Sequence, residues 1–452
     1  LKRITAIKKV TYLQLILIHI VMGLVVFVAV GTAKFILLGI IVYFIFRIFN
    51  AGNRNDEVLL AAAYVTGFEV FSRMTGGVGI SYEFAKYAVI GFLVLGMFFK
   101  GFKRTSWPYA FFVIFLVPGI LFSAINLNYE SNFINAISFN LSGPLCLAIS
   151  AMYCYNRRMS PERLQHILLA ALLPIIAMTA FLYFYTPNIR DVLSGTQSNF
   201  EASGGYGPNQ VATILGLGMF ILFSRLFIIK SRLVNIIDLT LLALVSYRAI
   251  VTFSRGGVIT AAICGIVFFI VFFYSADLKH KATLVPKVIA IGSVVLVTWL
   301  FTSFSTLGLI DKRYSNQDAA GRVKEDITTG RAELIDSELE AFYERPFTGI
   351  GVGKIKEYRL EQTGRLSATH NEVSRILSEH GIFGLLSLVV LVLTPIVFRM
   401  RNRSNVYLFS FFIFWLLTIN HSSMRIAAPA FIYGLALISI VYAKKKPALH
   451  RE

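Results

Sequence analysis

The chain has 452 residues, of which 56% are apolar and 15% charged, with 40 Phe, 20 Tyr and a formal net charge of +19. A soluble chain carries charge on roughly a quarter of its residues. Here the shortfall comes with repeated apolar runs of about 20 residues, the length that crosses a hydrocarbon core of ~30 Å. These features exclude a disordered chain, a disulfide-stapled fold and a soluble enzyme, and they predict an all-α polytopic membrane protein. A charge of this size also suits a nucleic-acid binder, so its position along the chain decides its meaning.

The apolar runs predict about fourteen helices: 10–30, 33–49, 57–72, 84–99, 108–125, 135–155, 164–185, 209–229, 234–252, 256–275, 284–306, 376–398, 405–420 and 426–443. Those at 57–72, 84–99 and 405–420 are short for a full crossing, so 12–14 transmembrane helices is the expected range. Lys2, Arg3, Lys8 and Lys9 precede a first run long enough to remain as a span, and no cleaved signal peptide is expected. Cys146 and Cys154 lie about 12 Å apart on one helix, beyond disulfide reach. With Cys264 they read as free buried thiols.

Of the 43 Lys and Arg residues, 24 fall in clusters between spans. These are the N-terminal group, Arg47/Arg54, Lys100/Lys103/Arg104, Arg157/Arg158/Arg163, Lys230/Arg232, Lys279/Lys281/Lys287, Arg399/Arg401/Arg403 and Lys444/Lys445/Lys446/Arg451. Fourteen spans put every cluster on one side, which the positive-inside rule makes cytoplasmic, together with both termini. The positive charge is then a topology signal, and no nucleic-acid partner is expected.

Residues 308–375 form a polar, extracytoplasmic loop with eleven Lys/Arg and twelve Asp/Glu. Ile335, Leu339 and Phe342 recur at helical spacing and Pro346 ends the run, so the loop is partly helical. A second outer segment, 186–208, is rich in Gly, Ser and Asn. The chain divides into N-terminal transmembrane helices (1–190) and a second region (191–452) that contains the long loop and the C-terminal helices.

Ionisable residues at span ends are costly to hold and are candidates for function. On the outer side these are Arg248, Arg255 in Ser254-Arg255-Gly256-Gly257, Arg331 in Thr329-Gly330-Arg331, Arg365, and Arg425 in Asn420-His421-Ser422-Ser423-Met424-Arg425. Guanidinium groups bind phosphate oxygens in pairs and stay charged. Several converging at a membrane surface suit a pyrophosphate headgroup whose lipid tail stays in the bilayer, although a lone arginine there also serves to snorkel to lipid headgroups. The glycines after Arg255 admit close approach of a backbone or a ligand. His370, in Thr369-His370-Asn371-Glu372, is expected at a helix start, where a neutral imidazole can act as general base or simply hydrogen-bond the helix. Gly349-Ile350-Gly351-Val352-Gly353 lacks the strand, spacing and acidic partner of a nucleotide loop and reads as a turn. Asp336 and Glu338 point in different directions on one helix, and no His/Cys cluster has ligand spacing. Neither a metal nor a cofactor is expected.

In order, Gly207-Pro208-Asn209-Gln210, Ser254-Arg255-Gly256-Gly257, Thr329-Gly330-Arg331, Arg345-Pro346-Phe347-Thr348-Gly349-Ile350-Gly351, His370-Asn371-Glu372-Val373 and Glu379-His380-Gly381-Ile382-Phe383-Gly384-Leu385 resemble the O-antigen ligase/polymerase family of bacterial membrane glycosyltransferases. The resemblance spans roughly 200–390; residues 1–190 match only as generic spans. It implies an enzyme of the bacterial inner membrane, active on the periplasmic face. Such an enzyme transfers a glycan from undecaprenyl pyrophosphate to a hydroxyl of a glycan or lipid A-core acceptor, without metal and with inversion. Carried over residue by residue, it implies donor binding by Arg255 and Arg331 and catalysis by His370. Asn209 and Asn371, which stand in the shared motifs, join the substrate-binding candidates, and Arg425 is added on charge and position. Many relatives carry an arginine shortly before the Pro-Asn pair, where this chain has Glu201, Ala202 and Ser203. Polymerase, ligase and protein-glycosylating activities share the donor chemistry and are not separated by sequence. The alternatives are a transporter or flippase of lipid-linked oligosaccharide and a membrane scaffold. A flippase should carry charges deep in several spans and an inverted repeat, and neither is visible.

Overall fold

The computed structural model describes residues 9–77, 83–128, 131–276, 281, 283–326, 328, 330–364, 367, 369–402 and 404–442. Arg365 and the clusters at Lys2/Arg3/Lys8 and Lys444/Lys445/Lys446/Arg451 lie outside the described residues. The chain is an all-α membrane protein whose described helices follow the predicted spans closely. They are α1 (Lys9–Val28), α2 (Thr32–Ala51), α3 (Glu57–Met74), α4 (Phe84–Lys100), α5 (Trp107–Asn126), α6 (Phe133–Cys154), α7 (Pro161–Tyr185), α8 (Pro208–Ile228), α9 (Arg232–Ile250), α10 (Arg255–Ser275) and α11 (Val285–Ser305). The long polar loop contributes α12 (Leu309–Tyr314), α13 (Arg331–Glu344) and α14 (Ile355–Thr363), and the chain continues through α15 (Glu372–Arg401), α16 (Leu408–Ser422) and α17 (Ala427–Ala436). Ten of these are long and apolar enough to cross a bilayer.

The last predicted span, 426–443, is the largest departure. Its helix stops at Ala436, and Ser439–Ile440 runs on as a two-residue strand parallel to Arg158–Met159. At 10 residues α17 is about 15 Å long, half a crossing, yet every residue in it is buried. It therefore sits inside protein, where a partial helix is tolerated. Helix α3 is likewise buried from Glu57 to Arg73. In contrast, α1, α2 and α11 carry rows of exposed Leu, Val, Ile and Phe, the face expected toward lipid. Small residues bring the inner helices together: a Cβ on Gly67 would overlap the Ala171 carbonyl, and one on Gly257 the Ala212 carbonyl.

The connections sort to two ends. Lys100 donates to Asp56, Arg157 to the Gly101 carbonyl, and Asn402 to the Ile438 carbonyl. These bonds gather the basic connections α2–α3, α4–α5, α6–α7 and α15–α16 at one end. At the opposite end lie the 186–207 segment, the α9–α10 turn, the long loop and the α16–α17 turn, joined by bonds such as Asn199 to Thr252 and Arg73 to Arg425.

Helix α15, predicted as an uninterrupted span, is broken at Gly381 (φ 58°, ψ −135°). The residues 349–353 repair the break. Ile350 N donates to Ser378 O (2.9 Å), Gly351 N to Glu379 O (3.2 Å), Gly353 N to Glu379 Oε1 (2.8 Å) and Val352 N to Gly119 O (3.2 Å). The glycine run is thus a backbone strip threaded between α5 and α15. It satisfies carbonyls that the helix break leaves open, as buried backbone requires.

Candidate active site

The site is built at the end of the bundle opposite the basic connections. Helix α8 opens with Pro208 at its first turn, where a missing N–H costs nothing, and Asn209 follows. Asn209 Oδ1 accepts a 2.8 Å bond from Ser254 Oγ, which leaves the α10 N-terminus without a side-chain cap. Arg255 is the first residue of α10. The residue two before it, Phe253, is held at φ 57°, a conformation that a bulky L-residue rarely takes. Its carbonyl accepts from Arg313 Nε at 3.1 Å, and Arg255 Nη1 donates to the Arg313 carbonyl at 3.4 Å. The short helix α12 is in this way latched to the α9–α10 turn. Arg331 opens α13 after Gly330 (φ 79°), and Asp326 accepts from the amides of Thr328 and Gly330 to shape that turn.

Asn209, Arg255, Arg313, Arg331, Asp336 and Asn420 line a cavity of about 430 Å³. No carboxylate lies within ion-pair distance of Arg313 or Arg331 among the described residues. Burial holds the Arg331 guanidinium below its ordinary value, and Arg255 and Arg425 add to the effect. Burial does the same to Arg313, followed by Arg255 and Arg331. Such a concentration of half-buried cations is costly until an anion neutralises it.

His370 stands beside this cavity, two residues before α15. It is half-buried, and neither imidazole nitrogen has a hydrogen-bond partner among the described residues. Burial, then Arg425, Arg331, Arg359 and His421, push its pKa down to about 4, so the ring is neutral at ordinary pH. Asn371 caps α15: its Oδ1 accepts from Val373 N (2.8 Å) and Ser374 N (3.3 Å), and its Nδ2 donates to Asn420 Oδ1 (3.1 Å). Arg425 donates to the Thr369 carbonyl, and its own carbonyl accepts from Arg73 Nη1 at 3.0 Å. With Lys356 it also lines a second, smaller pocket.

The structure therefore brings Asn209, Arg255 and Arg331 into one cavity; Asn371 bonds to Asn420 of its lining, and His370 and Arg425 lie within electrostatic reach of Arg331. Arg248 stands apart from them: it is 1% exposed and donates to Thr186 and Ala202, tying down the 186–203 segment. Of the glycines after Arg255, Gly256 makes room for the His421 ring and Gly257 for the α8 backbone. Sequence reasoning missed Arg313 and Asn420. Arg313 could have been found as an arginine just past a span end, the criterion that found Arg255. Asn420 has no such signal.

A family model described as O-antigen ligase matches residues 239–389. This region belongs to the O-antigen ligase family. No curated protein matches the chain. The O-antigen ligase region runs from α9 into α15 and contains Arg255, Arg313, Arg331 and His370, while Asn209 and Arg425 reach the cavity from outside it. The chain is a multi-pass membrane protein with an O-antigen ligase-like function in polysaccharide assembly.

Proposed function

We propose that the protein transfers a glycan from undecaprenyl pyrophosphate to an acceptor hydroxyl in cell-surface polysaccharide assembly, as an O-antigen or exopolysaccharide polymerase or as an O-antigen ligase. The carrying observation is the cavity in which Arg313 and Arg331 stand with no carboxylate in ion-pair distance among the described residues, near a neutral His370. A donor pyrophosphate fits that charge, with its lipid tail in the bilayer. Asn209 and Asn420 line the same cavity and offer amide hydrogen bonds. His370 accepts the proton of the acceptor hydroxyl as its oxygen attacks the anomeric carbon. The bond from that carbon to the pyrophosphate oxygen breaks from the far side, inverting the centre, and the guanidiniums stabilise the charge on the leaving pyrophosphate. The arginines supply the neutralisation that a divalent cation gives elsewhere, so the reaction runs without metal.

The positive-inside rule assigns the basic end to the cytoplasm, which puts both termini there and the site on the periplasmic face of the inner membrane. The division into residues 1–190 as scaffold and 191–452 as catalytic region belongs to this reading.

The test is transfer by purified protein from a glycan-loaded undecaprenyl pyrophosphate donor in the presence of EDTA. Transfer should persist, His370→Ala should abolish it, and Arg313→Ala should weaken donor binding about 10- to 100-fold, the worth of one charged hydrogen-bonding group. Full turnover by His370→Ala removes the base assignment, and movement of donor across the bilayer without any product favours a transporter.

A further inference from the structure

Glu338 and Arg359 are each 1% exposed in the polar loop and pair with one another. Glu338 Oε1 also accepts from Thr369 Oγ1 at 2.6 Å, and its Oε2 accepts from Ser374 Oγ. Arg359 fills its remaining donors locally: Nε to Ser337 Oγ (3.0 Å), Nη2 to Leu334 O (3.0 Å), and Nη1 to Ser367 O (3.2 Å) and Thr369 Oγ1 (3.4 Å). One ion pair thus joins α13, α14, the strap before His370 and the first turn of α15.

Burying such a pair brings little net stability, because desolvation offsets the attraction; its best-attested use is to fix register. The register here is specific. Arg331 lies seven residues before Glu338 on α13, two turns along the same face and about 10 Å away. His370 directly follows Thr369, whose hydroxyl is held by Glu338 and whose carbonyl is held by Arg425.

We propose that the Glu338–Arg359 pair is a positioning device that sets His370 against Arg331, holding the proton acceptor at a fixed distance from the bound pyrophosphate. This rests on the reading of His370 as general base. Neither residue of the pair touches substrate; both act through the strap. Among the described residues, the charged or titratable groups that act most on His370 are Arg425 before α17, Arg331 on α13, Arg359 on α14 and His421 on α16. A strap that slips from Glu338 moves the imidazole out of that field.

The test compares full-length Glu338→Leu, Glu338→Gln and Thr369→Val proteins, with active sites counted by stoichiometric binding of undecaprenyl pyrophosphate. Glu338→Leu should lose about 100-fold in kcat per binding site, the scale of a misplacement near 1 Å, with donor affinity changed little. The acid limb of its kcat/KM profile should move up toward the ordinary histidine value. Glu338→Gln, which keeps the hydrogen-bond connections, should recover most of the rate. If Glu338→Leu loses donor binding altogether, Thr369→Val decides, with a fall of about tenfold in kcat expected for one lost hydrogen bond. Wild-type kcat and an unmoved acid limb in Glu338→Leu, or in Thr369→Val where the first does not fold, overturn the positioning role while wild type is active and His370→Ala is dead. Full activity in His370→Ala, or no transfer by wild type, overturns the function reading and takes this proposal down with it.

Discussion

At the scale of single residues, the proposed chemistry turns on a histidine placed among cations. Burial opposes protonation of His370 most, and the nearby Arg425, Arg331, Arg359 and His421 add to it, so its pKa falls from 6.5 to about 4. A base that weak takes a proton poorly. A bound pyrophosphate reverses the local field: its negative charges beside Arg331 favour the imidazolium and raise the pKa. In the proposed reaction the donor thereby strengthens the base that activates the acceptor. The sign is definite, because kcat/KM reports the free protein and kcat the complex. The acid limb should lie near pH 4 in kcat/KM, measured with limiting donor, and at higher pH in kcat, measured with saturating donor. Coincident limbs would mean that the pyrophosphate does not sit beside His370.

At the scale of elements, one broken helix organises the site. Helix α15 begins with the Asn371 cap beside His370 and breaks at Gly381, where the strip 349–353 closes its open carbonyls. The sequence motifs Thr348-Gly349-Ile350-Gly351 and Glu379-His380-Gly381 are therefore two halves of one contact. Sequence spacing could not show this, since the halves lie about 30 residues apart and pair through backbone atoms common to all residues. An alanine at Gly381 needs a positive φ at ψ −135° and places its Cβ against the Pro346 carbonyl. Backbone strain of this type costs of order 1–3 kcal/mol, before the overlap is counted. Gly381→Ala should lower the thermal midpoint in detergent by several degrees, whereas Gly292→Ala, where a Cβ meets nothing within 4 Å, should not. Equal midpoints would remove the constraint assigned to Gly381.

At the scale of the molecule, the helix count, the gathering of basic connections at one end and the partly helical loop were legible, because apolar length and charge asymmetry are written directly in composition. Arg255, Arg331 and His370 stand out in the sequence as ionisable residues at or just beyond span ends; the structure brings Arg255 and Arg331 into one cavity, while the roles given to all three belong to the proposal. The half-length α17, the break in α15 and the Glu338–Arg359 pair were not, because each depends on partners distant in sequence and satisfied only in three dimensions. The two-ended distribution of charge leads to a last prediction about orientation. Under the positive-inside rule the basic connections are expected to stay with the anionic inner leaflet, and the near-neutral loop with the cavity is expected to be exported. The three native cysteines are buried, so a single added thiol reports its own position. In spheroplasts, an impermeant maleimide should label Glu325→Cys directly, at an exposed site in the long loop. Lys103→Cys, exposed at the basic end, should react only after the membrane is opened. The reverse pattern would put the cavity in the cytoplasm, facing away from polymer assembled outside, and the pyrophosphate-lipid reading would fall with the topology.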